Sequence, residues 1–249
     1  MDNAAAARRL VEILGIDTDP VAVFLLGPES SPPTAPFKRV TGHRYCQLLM
    51  RARHGESVFL VPDELACPAA AAAFGFRPLP EGLATGKGLV GFGIVDDPDT
   101  GRRMFEGMPR LEPGRVTLIA ATPLSETRSI PDVVVVEGPP EALMWLALAD
   151  LNVAGGERRR GDTAVLQATC VDATIIPYLE QRLNFSLGCY GCREATDLGP
   201  NESVLGFPGV RLEPLLAALE SLANKAIGRS RAKAVFGNLN KKDRADSSH

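Results

Sequence analysis

Short apolar runs bounded by turn residues alternate along the chain with segments whose apolar positions recur every three or four residues. The first pattern predicts buried strands and the second predicts amphipathic helices. The predicted strands are 21–26, 57–62, 89–95, 115–122, 132–138, 163–168 and 203–208. The predicted helices are 4–14, 43–55, 63–75, 99–107, 140–153, 171–183 and 212–227.

The order of these elements has no regular strand–helix–strand rhythm, so we predict a mixed α/β (α+β) fold. A chain of 249 residues can bury a full core as one large domain. We therefore predict a single globular domain over residues 1–228. From residue 229 the chain becomes polar and basic and ends in NLNKKDRADSSH. This composition predicts a disordered C-terminal tail over residues 229–249.

Two segments share the order cysteine, helix, strand, cysteine. Cys46 begins a predicted helix and Cys67 follows the next strand, while Cys170 begins another helix and Cys189 follows the residues NFSLG. The two segments do not align convincingly residue by residue. One interpretation is a duplication, in which two pseudo-symmetric halves would meet at a site formed by these four cysteines.

Composition and charge exclude several classes of protein. Hydrophobic residues make up 45% of the chain and charged residues 23%, which is typical of a soluble globular protein. The net charge of −3 argues against a nucleic-acid binder. The N-terminal residues carry no secretory signal pattern, and the apolar runs fall short of the ~20 residues of a membrane helix. We expect a cytoplasmic protein with neither nucleic acid nor membrane as partner. The amphipathic helix at 212–227 is compatible with a homodimer interface as well as with a core.

The five cysteines are the main candidates for chemistry. In a reducing compartment they favour metal binding or catalysis over disulfides. Three of them lie at or near predicted helix N-termini, where unpaired amides favour a thiolate. Cys189 and Cys192, in GCYGC, place two thiols within reach of one metal. A zinc ribbon would need a second close pair, which the sequence lacks. A thioredoxin-like dithiol would need a long helix after the pair, and the residues CREATDLGPNES interrupt one.

Two other residues are candidates for a catalytic role. Arg193 directly follows the cysteine pair, where it would donate hydrogen bonds to an anionic ligand or to a cluster sulfide. His43 lies close to Cys46 and is a candidate proton donor or cluster neighbour. For both residues a surface position is the alternative interpretation.

The stretch VTGHRYCQLLMRARHGESVFLVPDELACPAAAAAFGF, together with FSLGCYGCREATDLGPNESVLGFPGVRLEPL, resembles the family called domain of unknown function 169. The resemblance spans most of residues 8–225. It implies a cytosolic protein of bacterial or archaeal type whose cysteines hold an iron–sulfur cluster. Carried onto this chain, the implied ligands are Cys46, Cys67, Cys170 and Cys189. Cys192 is the alternate ligand, because a cluster with four ligands leaves one of five cysteines over.

The leading functional hypothesis is an iron–sulfur enzyme with a [4Fe-4S] cluster. Three cysteine ligands would leave one iron open, which suits a lyase or a sulfur-transfer enzyme, whereas four ligands would suit electron transfer or sensing. The alternatives are a binding module with structural zinc or no metal, and a redox switch formed by Cys189 and Cys192. No residue set in the sequence indicates a substrate or a redox partner.

Overall fold

A computed structural model describes residues 2–30 and 36–238, and one seven-stranded sheet forms the centre of the molecule. The strands are β1 (Val21–Leu26), β2 (Lys38–Arg39), β3 (Val58–Leu60), β4 (Leu118–Pro123), β5 (Val133–Gly138), β6 (Asn184–Ser186) and β7 (Ser203–Pro208). They lie in the order β2-β3-β4-β1-β5-β7-β6. Only β2 and β3 are parallel, and all other neighbours are antiparallel.

Helices cover both faces of this sheet. They are α1 (Asn3–Leu14), α2 (Tyr45–Arg53), α3 (Pro68–Ala73), α4 (Glu81–Ala84), α5 (Lys87–Gly91), α6 (Pro98–Glu106), α7 (Pro140–Val153), α8 (Ile176–Glu180), α9 (Tyr190–Ala195), α10 (Leu212–Leu222) and α11 (Gly228–Arg231). Two π-helical segments, Ala168–Ile175 and Ala223–Ile227, precede α8 and α11. The predicted mixed α/β class with a single domain is confirmed.

Both faces of the sheet are buried, which explains why β1 reads VAVFLL without a polar position. Side chains alternate between the two faces of a strand. Val21 and Val23 contribute to the core beneath α2, α3 and the first π-helical segment. Ala22 and Phe24 contribute to the core beneath α1, α7 and α10. The apolar side of α10 is buried in this second core, where the helix packs against α1 and α7.

The sheet has an internal two-fold arrangement about the β1–β5 pair. That pair is centred on Ala22 opposite Val134. β4 pairs with β1 in the same register in which β7 pairs with β5. β3 lies outside β4, and β6 lies outside β7 at the equivalent position. The cross-strand pair Val21–Pro123 is equivalent to Val133–Pro208. The cross-strand pair Val58–Ala121 is equivalent to Asn184–Gly206. The topology therefore has the two pseudo-symmetric halves that the order of the cysteines predicts.

Two predicted strands are wrong. Residues 89–95 lie in α5 and the turn after it, because Gly86 at φ +77° and Gly93 at φ +67° bracket a short helix. Residues 163–167 are irregular, and the π-helical segment begins at residue 168. Val165 and Gln167 have φ of 55° and 57°, which a strand does not allow.

Two further boundaries differ from the predictions. The predicted helix 63–75 is divided into a 3₁₀ turn at Pro62–Glu64 and α3, because Pro68 starts a new helix at its first position. In the predicted tail, α11 extends to Arg231 and a further helical turn follows at 234–238. The remainder of that tail, 239–249, lies outside the described residues.

A buried arginine joins the two halves beside the sheet. Arg53, at the end of α2, is only 4% exposed in its side chain. Its Nη1 lies 3.0 Å from Glu137 Oε2 on β5, and its Nη2 lies 2.6 Å from Asp197 Oδ1 beyond α9. Glu202 and His54 complete the network, His54 through Nε2 at 2.6 Å from Asp197 Oδ2. Within this network Arg53 and Glu137 are both buried, so removing Glu137 would leave the Arg53 guanidinium without its buried partner. The network ties α2 to the second half.

We expect Gly206→Ala to destabilise the protein by about 3 kcal/mol, because a Cβ at this position would lie 1.8 Å from the carbonyl oxygen of Ala173. The first π-helical segment would have to move away from β7. Gly228→Ala is the control, because that helical glycine has φ of −58° and no neighbour within 4 Å of an added Cβ. Its stability should stay level or rise by about 0.5 kcal/mol. Chemical denaturation measures both, and equal midpoints for wild type and Gly206→Ala would contradict the close approach.

Burial raises the pKa of Glu137 from 4.5 to about 7, although Arg53 opposes the shift. Between these values the folded state binds a proton that the unfolded state does not, so stability falls as pH rises from 4.5 to 7. We expect Glu137→Gln to remove up to about 3 kcal/mol of this pH dependence. Denaturant unfolding of both proteins across that pH range measures it. Parallel stability curves would show that Glu137 stays ionised in the folded protein.

Candidate cysteine site

All five cysteines line one cavity of about 620 Å³ on the face of the sheet that carries α2 and the first π-helical segment. All are free thiols, and four of them are buried, Cys67 being half-buried. They come from four separate elements of the two halves. Cys46 lies in the first turn of α2, Cys67 caps α3, Cys170 lies in the π-helical segment, Cys189 caps α9 and Cys192 lies within α9.

Cys189 and Cys192 are in direct contact. Their sulfur atoms lie 3.1 Å apart, and the amide of Cys192 donates to Cys189 Sγ at 3.3 Å. The hydroxyl of Thr169 lies 2.9 Å from Cys192 Sγ. Gly188, with φ of +90°, allows the sharp turn that brings β6 into α9. The pair is therefore packed directly against the π-helical segment that carries Cys170.

The two-fold arrangement makes four of the five cysteines equivalent in pairs. Cys67 and Cys189 each cap the short helix that follows an outer strand, β3 or β6. Cys46 and Cys170 each lie in the first turn of the helical segment before that strand. Cys192 has no such counterpart, because the third residue of α3 is an alanine. The symmetric set is the set of four that the sequence analysis names as ligands.

The site disfavours isolated thiolates. Burial raises the pKa of Cys170, and the nearby Cys67, Cys192 and Cys189 raise it further. The hydrogen bond to Cys192 and burial raise the pKa of Cys189. The hydrogen bond to Cys189 lowers the pKa of Cys192. The hydrogen bond to Cys46 and burial outweigh this effect and raise the pKa of Cys192 to about 12. These thiols therefore favour the protonated form, in contrast to reactive dithiols, whose pKa values are lowered.

Polar contacts between α2 and α9 bring Cys46 to the cysteine pair. Arg44 Nη1 lies 2.8 Å from Glu194 Oε2 and donates to the carbonyl of Gly191 at 3.1 Å. Gln47 Nε2 donates to the carbonyl of Ala195 at 3.2 Å. Sequence analysis did not identify Arg44 or Thr169 as site residues, although Arg44 lies two residues before Cys46 and Thr169 directly precedes Cys170.

The two predicted catalytic candidates do not line the cavity. The guanidinium of Arg193 points to the backbone of the loops around α9 and donates to three carbonyl oxygens, those of Leu187, Gly199 and Glu202. His43 Nδ1 lies 2.7 Å from the carbonyl of Thr41, and its Nε2 lies 3.3 Å from Arg51 Nη1. The structure thus gives Arg193 a role in holding the cysteine-bearing loops, and places His43 at the entry to α2.

The donors around the cavity suit a soft metal centre that spans several atoms. The thiols are the soft donors of the cavity, and Glu194 is the one carboxylate among the described residues that line it. Within residues 2–30 and 36–238, no three histidine, cysteine or acidic side chains converge closely enough to hold one metal ion. A polynuclear cluster takes its thiolate ligands farther apart than a single ion does. The five thiols are therefore the residues that would hold a metal centre in this cavity.

Comparison with known proteins agrees with the sequence resemblance. Among the described residues no helix is both long and apolar enough to span a bilayer. The chain is 32% identical over 216 residues to the uncharacterized protein MJ0308 of Methanocaldococcus jannaschii, which covers 86% of this chain and 92% of that protein. No solved structure matches the chain. The model of the family DUF169, described as uncharacterised ArCR, matches residues 9–218. The chain therefore belongs to the DUF169 family.

Proposed function

We propose that this protein is a cytoplasmic iron–sulfur enzyme whose [4Fe-4S] cluster is held by Cys46, Cys67, Cys170 and Cys189. The observation that carries the proposal is that thiols from both halves of the fold line one cavity. The chain between Cys67 and Cys170 contributes β4 and β5 to the central sheet, so this convergence depends on the tertiary fold. A reducing compartment is part of the proposal, because it keeps five neighbouring thiols free of disulfides.

The two-fold arrangement of the sheet supports this choice of ligands. It relates Cys46 to Cys170 and Cys67 to Cys189, so a compact cluster near the pseudo-axis would receive one matched pair of thiolates from each half. Cys192 belongs to neither matched pair, because the equivalent residue in α3 is an alanine. We assign Cys192 to the wall of the cavity, where Thr169 and Cys189 contact its sulfur.

The chemistry of the thiols also supports a metal centre. When bound, the cluster would supply electron transfer or, at an iron with an open position, Lewis acidity. The chain contributes buried thiols with raised pKa values, which a polycationic centre would convert to thiolates. The cavity exceeds the space that a cubane with metal–sulfur bonds of about 2.3 Å occupies. Room for a second molecule favours an enzyme of the lyase, sulfur-transfer or oxidoreductase class over a simple electron carrier.

The close contact of Cys189 and Cys192 favours one second candidate, a dithiol redox switch. Their sulfur atoms lie 3.1 Å apart, so a small movement would allow a disulfide between them. The raised pKa of both thiols argues against it, because the thiolate is the reactive form.

Protein isolated without oxygen should be brown and contain about four iron and four acid-labile sulfide per chain. Elemental analysis and the visible spectrum measure this. A colourless protein with one zinc per chain would replace the cluster with a structural metal. A colourless, metal-free protein that forms a reversible disulfide, and loses it in Cys192→Ser, would support the switch instead.

Replacing any one of Cys46, Cys67, Cys170 and Cys189 by alanine should abolish the cluster absorption, because each supplies a ligand. Cys192→Ala is the matched control and should retain the absorption, since it removes a thiol from the same cavity without removing a ligand. Iron content and circular dichroism of the five variants separate loss of the cluster from loss of folding. If Cys192→Ala bleaches while one of the other four variants keeps its cluster, the ligand set is wrong.

A further inference from the structure

The two halves differ most in the connection that follows the cysteine-capped helix. After α9 the chain reaches β7 through residues 196–202 only. After α3 the equivalent connection to β4 runs over residues 74–117 and carries α4, α5 and α6. We call residues 79–106 the cap. The cap has no counterpart in the second half, so the symmetric part of the fold does not require it.

The cap forms one wall of the cysteine cavity, and that wall is apolar. Its side chains in the wall are Pro80, Leu83, Leu89, Phe92, Ile94 and Phe105. α9 lines the same cavity with Tyr190. The side chains of Phe92 and Tyr190 are 69% and 56% exposed, so two aromatic rings border the cavity and remain open to solvent. Exposed aromatic residues at the rim of an apolar cavity are typical of a ligand site.

Contacts within the cap and in the segments on either side of it hold the cap in place. A Cβ on Gly86 would lie 1.9 Å from the carbonyl oxygen of Pro98, so α5 and α6 pack at backbone distance. The amide of Leu111, beyond the cap, donates to the carbonyl of Ala73 in α3 at 2.8 Å. The side chain of Arg77 donates to the carbonyl of Leu65. The wall is therefore preformed, which lowers the entropic cost of binding.

The charges around the cavity select against ionic ligands. Among the described residues that line it, Arg44 and Glu194 are the charged side chains, and they pair with each other at 2.8 Å. A phosphate or a second carboxylate would lose its hydration without gaining an open cation, which is costly. The volume of about 620 Å³ lies in the range of small-molecule sites.

We propose that the cap and α9 bind an uncharged, apolar small molecule beside the cysteines. The role of this molecule as the substrate of the cluster rests on the proposed function, whereas its binding does not. The cap residues then determine specificity, while the cysteines carry the chemistry.

The test compares two ligands that share one apolar ring system, 2-naphthol and 2-naphthyl phosphate, by calorimetric titration of the full chain. We expect 2-naphthol to bind and the phosphate to bind at least about tenfold more weakly, because only the latter carries uncompensated charge. Phe92→Ser and Leu83→Gln should each weaken 2-naphthol binding at least about fivefold. Ile130→Ser is the matched control, because Ile130 is also 69% exposed but lies outside the cavity wall.

No binding of 2-naphthol at millimolar concentration would overturn the proposal. Equal binding of both ligands would also overturn it, as would cap variants that behave like Ile130→Ser. The titration is performed on protein with and without iron, so its outcome is separate from that of the cluster analysis. If the protein binds 2-naphthol but never takes up iron, only the proposed function is rejected. If the protein holds iron but does not bind 2-naphthol, only the cap site is rejected.

Discussion

The antiparallel pairing of β1 with β5 is the constraint on which the cysteine site depends. It joins two halves of the same topology into one sheet and is centred on Ala22 and Val134. A two-fold relation about that pair places equivalent elements of both halves on the same face. The helical segments that carry Cys46 and Cys170 therefore lie side by side, although the sequence separates them widely. Any change that shifted this register would move one set of thiols away from the other.

Close packing and buried charge then keep the two halves together at the site. Gly206 lets the first π-helical segment lie on β7 at backbone distance, which positions Thr169 and Cys170. Arg53 connects α2 to β5 and to the loop beyond α9. Such buried charges cost desolvation energy, so they contribute orientation more than net stability. Their effect here is to hold α2 and α9 in contact across the boundary between the halves.

The asymmetries between the halves are as informative as the symmetry. The second half carries the extra thiol, Cys192, and the first half carries the cap. Both features line the same cavity: Cys192 lies among the other thiols, and the cap forms the apolar wall. The symmetric core positions four thiols around the cavity, and each half adds one feature of its own to the cavity lining. Burial and the neighbouring thiols raise the pKa values of Cys170 and Cys189, so the cavity favours protonated thiols.

The sequence by itself determined the strands and helices with strong periodicity. β1, β5, β7, α1, α7 and α10 were predicted to within a residue or a few, because each has a long apolar pattern that tertiary contacts do not override. It also identified the cysteines as the candidate chemistry, since residue type and helix position are local properties. It could not identify 89–95 as a helix, because alternating glycines and β-branched residues resemble a strand until the positive φ of Gly86 and Gly93 is known. Only the tertiary structure decided which cysteines meet, why Arg193 turns to backbone carbonyls, and that an apolar wall faces the thiols. Those facts depend on sheet register and on contacts between residues far apart in the chain, which local patterns do not encode.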